Sequence, residues 1–315
     1  MKDVVEANQG KFLDPVWTAK GDRRATVALS KPETLWFNTG TLCNITCANC
    51  YIESSPHNDR LVYTTRSEVE DYIQQLDARS WNVREIAFTG GEPFMNPEMV
   101  GMAEAGLLAG YDVLILTNAM RPMMRKRIQA GLVDLIERFG KKLTFRVSLD
   151  HWSAQIHNAE RGTEAFERAL EGMRWLRDRG ASMAVAGRVE WAESEVQARQ
   201  SYGRMFEREG FPIDAMNPGQ TVLFPEMDES VEVPEITTDC WGILNKHPDS
   251  VMCASSRMVV KRKGAERPTV LACTLLPYDE QFEMGETLAE AEGDVSLNHP
   301  HCAKFCVLGG ASCSA

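Results

Sequence analysis

The sequence predicts an α/β protein, an open partial (βα)6 barrel followed by a small cysteine-rich C-terminal domain. Three observations carry this expectation. Strand-like apolar runs alternate with helix-period segments from residue 33 to residue 224, the pattern of right-handed βαβ units around a parallel sheet. Chemically distinctive residues fall at the ends of those strands, where barrels of this construction carry their functional loops. The nine cysteines are segregated: three lie between 43 and 50, none between 51 and 239, and six from Cys240 onward, so two metal regions flank a metal-free scaffold.

The first strand is expected over 33–39 and runs directly into the cysteine loop. A helix follows at 65–79. The second strand, 84–89, buries Ile86, Ala87 and Phe88, and a helix over 96–109 continues the apolar period. The unit repeats with YDVLILT at 111–117, apolar enough for a strand covered on both faces, then a helix at 121–138 and a strand at 142–149. The helix at 163–178 ends ahead of Gly180, which is placed to cap it. A strand at 181–189, a helix at 193–209 and a sixth strand at 221–224 complete the series. The acidic, proline-containing stretch 225–239 breaks the packing pattern and marks the expected boundary. The division is therefore an N-terminal extension at 1–32, a barrel at 33–225 and a C-terminal region at 226–315.

At 315 residues and 43% hydrophobic, the chain can bury a full core and needs no second catalytic domain. A net charge of −11 argues against nucleic-acid binding, which rests on clustered Lys and Arg; Lys261-Arg262-Lys263 reads as an exposed turn. With no apolar run of ~18 residues and no charged-then-apolar start, neither a membrane span nor a secretory signal is expected. A cytoplasmic location follows. In that reducing compartment an odd cysteine count favours metal ligation over a disulfide framework.

Cys43, Cys47 and Cys50 are spaced Cys-x3-Cys-x2-Cys on one tight loop. Three thiolates can hold three irons of a four-iron cubane and leave the fourth open, and an open position is what separates a catalytic metal site from a structural one. The same cysteines with His57 would equally make a structural zinc set. After the second strand comes Gly90-Gly91-Glu92-Pro93. The glycines lack Cβ atoms and let backbone approach a ligand, Pro93 suits a first helical turn, and Glu92 can accept charge-assisted bonds from an ammonium group. Alone, this run is also an ordinary strand-to-helix turn.

The run from Leu42 to Tyr51 resembles the signature loop of the radical S-adenosylmethionine (radical SAM) superfamily, and Gly90, Gly91, Glu92 and Pro93 match that family's turn after the second strand. The resemblance implies a [4Fe-4S] cluster on Cys43, Cys47 and Cys50, with the amino and carboxylate groups of SAM on the open iron. One departure is Asn49, where the family usually has an aromatic residue near adenine; Tyr51 is the expected substitute. Asn118 beside Thr117, Ser148, Asp150 and Arg188 stand at later strand ends and are candidate contacts for the SAM ribose or carboxylate. Ser148-Leu149-Asp150, followed by His157 and Arg161-Gly162, resembles the family's fourth-strand region. Asn118 and Asp150 also suit plain turn and cap positions.

Beyond the boundary, Cys253, Cys273, Cys302 and Cys306 form two sequence-distant pairs, with Cys240 upstream and Cys313 downstream. The stretch between Cys253 and Cys273 reads as a β-hairpin with a cysteine at each end. This arrangement resembles the SPASM or shorter twitch extension that binds auxiliary four-iron clusters. A full SPASM domain has a Cys-x2-Cys-x5-Cys-x3-Cys segment that is missing here, so one auxiliary [4Fe-4S] cluster is expected rather than two. Cys313 is an extra ligand, an alternative to Cys302 or a free thiol, and tetrahedral zinc would fit the same cysteines.

The resemblance implies reductive cleavage of SAM to a 5′-deoxyadenosyl radical that takes hydrogen from an unactivated carbon. Four-iron clusters reach potentials down to about −700 mV, and a reducing partner such as flavodoxin or ferredoxin is expected. The leading expectation for the substrate is a peptide or protein side chain that is oxidised or cross-linked. The alternative is a small-metabolite dehydrogenase acting on an aminocyclitol- or sugar-like alcohol, favoured by the short stretch ahead of the first strand, which has no room for a peptide-recognition domain. A non-enzymatic zinc-binding protein is the remote third reading.

Overall fold

The computed structural model describes residues 10–79, 81–189, 193–225 and 232–310. Its strands are β1 (Thr26–Val27), β2 (Thr34–Asn38), β3 (Glu85–Thr89), β4 (Asp112–Thr117), β5 (Leu143–Ser148), β6 (Ser182–Val189), β7 (Thr221–Pro225), β8 (Ser256–Val260), β9 (Thr269–Leu271) and β10 (Val295–Ser296). The main helices are α1 (Arg66–Asp77), α2 (Met99–Leu108), α3 (Lys126–Phe139), α4 (Ala154–Arg161), α5 (Ala165–Arg177) and α6 (Glu195–Glu209). Strands β2 to β7 lie side by side in sequence order and pair in parallel. This is the six-stranded partial barrel that the alternation of apolar runs predicts.

Parallel pairing sets which side chains share a face. Trp36 pairs with Ala87, Ala87 with Leu114, and Trp36 also with Met258, so these four lie on one surface of the sheet. Their neighbours Leu35, Phe37, Ile86, Phe88, Val113 and Ile115 point the other way, into the core shared with the helices. There Phe37 stacks on Phe88 at 5.7 Å between ring centroids and meets Tyr72 of α1 edge-on at 5.9 Å. The opposite face packs against the C-terminal region, in a second core that joins Trp36, Ala87 and Leu114 to Leu276, Phe305 and Val307.

Local sequence explains the helix ends. Thr65 with Glu68 and Ser194 with Gln197 form reciprocal capping boxes at α1 and α6, and Gly210, at φ 67°, closes α6. Three elements differ from expectation. The helix expected at 96–109 begins only at Met99, because Pro97 forces Asn96 into extended backbone after the short 3-10 turn Pro93–Met95. The helix expected at 121–138 starts at Lys126, after a run of turns. The single helix expected at 163–178 is preceded by α4, which ends at Gly162 with φ 101°.

The hairpin between Cys253 and Cys273 is present, with Met258 opposite Leu271. It does not stand apart: β8 pairs in parallel with β2, so the C-terminal region extends the barrel sheet. Strand β1 pairs antiparallel with β10, which ties the N-terminal stretch to the same region. Among the described residues no helix is long and apolar enough to cross a membrane.

Candidate active site

The two motifs near the barrel mouth are joined through backbone. The amide of Gly91 donates to Gly40 O at 2.9 Å and that of Glu92 to Leu42 O at 3.1 Å, immediately before Cys43. Gly90 has φ 146°, and a Cβ there would lie 2.5 Å from Gly40 O; a Cβ on Gly91 would lie 2.4 Å from Leu42 O. Both positions therefore need glycine so that the strand-end turn can lie against the cysteine loop, besides any ligand it serves.

Glu92 works inward. It is 2% exposed, and its carboxylate accepts from Thr117 Oγ1 at 2.8 Å, Asn118 N at 2.8 Å and Phe94 N at 3.2 Å. It thus clamps the end of β4 to the end of β3. Burial pushes its carboxyl up to about 7, against the lowering effect of those donors.

Cys43, Cys47 and Cys50 line one cavity together with Tyr51, Gly90, Gly91, Asn118, Ser148, Asp150 and Arg188. The sequence-predicted residues are thus gathered at the C-terminal ends of the strands. Glu92 and Pro93 are not among the lining residues, and His57 is exposed and outside the cavity. Asn118 donates its side-chain amide to Asn44 Oδ1 at 2.9 Å and approaches Cys43 Sγ at 4.0 Å.

Sequence reasoning quoted Arg161 only as part of a resemblance, yet it is central. It grips Asp150 with two bonds, Nε at 2.6 Å and Nη2 at 2.9 Å. Burial opposes both charges, but each ion offsets this for the other, holding the Asp150 carboxyl below and the Arg161 guanidinium above the ordinary value. Glu160 beside it accepts from the Asn49 side chain at 2.9 Å, and its carbonyl accepts from Ala48 N at 2.8 Å. Arg188 Nη2 donates to Asn49 O at 2.7 Å. Asn49 therefore pins the cysteine loop to α4, which gives its polar side chain a structural purpose. The unexpected α4 is what made Glu160 and Arg161 hard to place.

Three cysteines on one cavity wall are the donor type that an iron-sulfur cluster takes, although among the described residues no three Cys, His, Asp or Glu side chains are close enough together to grip a single metal ion. Burial pushes the Cys43 thiol up to about 12 and raises that of Cys47; ionising such thiols requires a strong cation, and metal ligation deprotonates them outright. In the C-terminal region, Cys253, Cys302 and Cys306 belong to the second core, with Cys240 and Cys273 packed against it. Burial pushes Cys253 up to about 11, and burial plus the neighbouring Cys273 and Cys253 push Cys302 well above its ordinary value. Cys302 and Cys306 share the π-helix Cys302–Leu308, a conformation found disproportionately at functional sites. The fully buried Arg257 donates to Cys253 O at 2.6 Å, adding positive charge near this group. Cys313 lies outside the described residues, as does part of the expected boundary.

Residues 37–187 match the radical SAM superfamily. Among curated proteins, the chain is 29% identical over 146 residues to the antilisterial bacteriocin subtilosin biosynthesis protein AlbA of Bacillus subtilis, covering 46% of this chain and 30% of AlbA. It is 24% identical over 221 residues to the mycofactocin maturase MftC of Mycobacterium tuberculosis, covering 70% of this chain and 50% of MftC. The chain thus spans about half or less of the length of these relatives. Among solved structures, Streptococcus suis SuiB bound to S-adenosylmethionine superposes with a TM-score of 0.58 at 13% identity, over 81% of this chain and 63% of SuiB. The structure of anSMEcpe with bound AdoMet and the Cp18Cys peptide gives 0.55 at 14% identity, over 82% of this chain and 80% of that one. At such identities the likeness is one of fold. The matched segment runs from β2 into β6 and holds both motifs, so the chain carries a radical SAM domain, and the members of that superfamily use a [4Fe-4S] cluster and SAM.

Proposed function

We propose that this enzyme cleaves SAM reductively and uses the resulting 5′-deoxyadenosyl radical to abstract hydrogen from an unactivated carbon of a peptide or protein side chain, oxidising or cross-linking it. One observation carries the reading. A single cavity brings together three cysteines, the Gly90-Gly91 turn, the strand-end polar groups and side chains of the C-terminal region.

The cofactor supplies radical generation when bound; the chain supplies position and exclusion of water. Cys43, Cys47 and Cys50 would hold the cluster and leave one iron for SAM. The Gly90-Gly91 turn offers backbone at close range, while Ser148, Asp150 and Arg188 face the same space and would orient the ribose and the methionyl group. Tyr51, 40% exposed, would flank the adenine where the family usually has an aromatic residue one position before the third cysteine. Asp150 and Arg161 neutralise each other, so their fixed charges add a directed dipole rather than a net charge. Cys253, Cys273, Cys302 and Cys306 would hold one auxiliary [4Fe-4S] cluster able to take up an electron from the oxidised substrate. A low-potential donor such as flavodoxin or ferredoxin in a reducing cytoplasm completes the requirement.

The peptide reading is supported by AlbA being a subtilosin bacteriocin biosynthesis protein, by MftC being a mycofactocin maturase and by the structure of SuiB bound to its precursor peptide SuiA. Reconstituted protein incubated with SAM and dithionite should yield 5′-deoxyadenosine and methionine. A protein with filled clusters that yields neither would refute the reading and favour a non-enzymatic scaffold.

A further inference from the structure

Resting on that reading of the same cavity, we propose that the reacting group of the substrate is an aliphatic or aromatic side chain of a peptide, seated against an apolar wall made by Leu116, Phe224, Leu275 and Phe305. All four line the cavity that holds the three N-terminal cysteines. Leu116 and Phe224 come from the ends of β4 and β7, whereas Leu275 and Phe305 come from the C-terminal region, and Phe224 stacks on Phe305 at 5.8 Å with the rings 26° apart. The wall therefore closes the barrel mouth with side chains from both halves of the molecule.

These side chains carry no hydrogen-bonding atom. The charged groups lining the cavity, Asp150 bonded to Arg161 and Arg188 bonded to the Asn49 carbonyl, are the ones assigned to SAM above. A hydroxyl-rich ring pressed against Leu116, Phe224, Leu275 and Phe305 would lose its water without gaining partners, a loss that discriminates strongly between substrates. A leucine- or phenylalanine-like side chain loses nothing there. The wall is also tied to the C-terminal cysteines: Leu275 N donates to Cys273 Sγ at 3.3 Å, and Phe305 stands between Cys302 and Cys306 on one π-helix. A side chain resting on it is thus held beside both cysteine regions at once.

The test offers reconstituted holoenzyme SAM, dithionite and perdeuterated probes, and reads the deuterated fraction of the 5′-deoxyadenosine formed, since each transfer breaks one C–D bond of the probe and forms one at the 5′ carbon. Blocked tripeptides with a central leucine or phenylalanine should donate deuterium; the serine tripeptide and myo-inositol should not. Phe305→Ser should lower the deuterated fraction about tenfold, the scale set by lost apolar contact in a pocket, while Phe305→Leu should keep most of it. Transfer from serine or inositol equal to that from leucine and phenylalanine, or from none of the peptides, would overturn the assignment. So would an unchanged fraction in Phe305→Ser, or a loss confined to the apparent affinity for SAM, which would give the wall to adenine. Failure to form any 5′-deoxyadenosine would instead refute the underlying radical reading.

Discussion

The two cysteine regions gather their thiols by opposite routes. Cys43, Cys47 and Cys50 sit on one short loop, and what holds that loop is mostly backbone: the Gly90-Gly91 turn on one side and the Glu160 carbonyl on the other. Cys253, Cys273, Cys302 and Cys306 come from the two ends of a hairpin and a distant π-helix, and they meet in or against the same apolar core beneath the barrel sheet. A local site survives in a spacing pattern, whereas a tertiary site depends on packing. A strap joins the two: Tyr278, past Cys273, donates to Ile52 O at 2.7 Å, just past Cys50, and carries the Arg60 guanidinium 3.6 Å above its ring.

The largest expected contrast is between one cysteine from each region. Cys47→Ala should reduce 5′-deoxyadenosine formation to background and remove about four of about eight irons per chain, since each cubane holds four. Cys273→Ala should remove a similar amount of iron yet retain SAM cleavage, while losing substrate turnover. Retained turnover in the second variant would make the C-terminal cluster dispensable. Stoichiometric zinc with only about four irons in the wild-type protein would replace that cluster with a zinc site.

The next effect tests the frame around the local site. Asp150→Asn leaves the Arg161 guanidinium, 14% exposed, without its counter-charge, and should destabilise the fold by about 3 kcal/mol, as broken buried ion pairs do. Chemical denaturation measures it; a cost under ~0.5 kcal/mol would show that the pair is screened like a surface one.

Glu92 should act more gently and with a pH signature. Glu92→Gln turns an amide donor toward Thr117 or Asn118 and should cost about 1–3 kcal/mol. Because the folded carboxyl titrates at about 7 rather than at its ordinary 4.5, the native state binds this proton more tightly. Its contribution is therefore full below pH 4.5 and is lost as pH rises through 7. Melting curves between pH 5 and 8 should show that slope in the wild type and a flatter one in the variant.

The smallest effect concerns His157, whose ring meets Phe166 edge-on at 5.7 Å with both nitrogens buried. Burial, then the Arg161 charge, lowers it to about 4 from 6.5. The unfolded chain takes up the proton first, so stability falls as pH drops from 6.5 toward 4. His157→Phe should remove that slope; an unchanged slope would assign it to another group.

What the sequence made legible follows the same division. Strands β2 to β7 were readable because each is an apolar run bounded by polar turns, and the N-terminal candidate site because its three cysteines share a loop. The inward row of Trp36, Ala87 and Leu114 was not, since strands covered on both faces show no alternation to reveal which side faces the cavity. Nor was the pairing of β8 with β2, a contact across more than two hundred residues of chain, or the role of Phe305, which looks like any core aromatic until its neighbours are known. Arg161 was hidden by α4, a helix whose eight residues AQIHNAER carry little apolar signal.

The central claim is that the cluster on Cys43, Cys47 and Cys50 keeps one iron free of protein ligands and that SAM occupies it. Mössbauer spectra of ⁵⁷Fe-reconstituted protein, recorded with and without SAM, test this most directly. The account predicts that one iron of the N-terminal cluster changes its signal on SAM addition while the irons on Cys253, Cys273, Cys302 and Cys306 keep theirs. An iron-loaded protein whose spectrum is indifferent to SAM would contradict it.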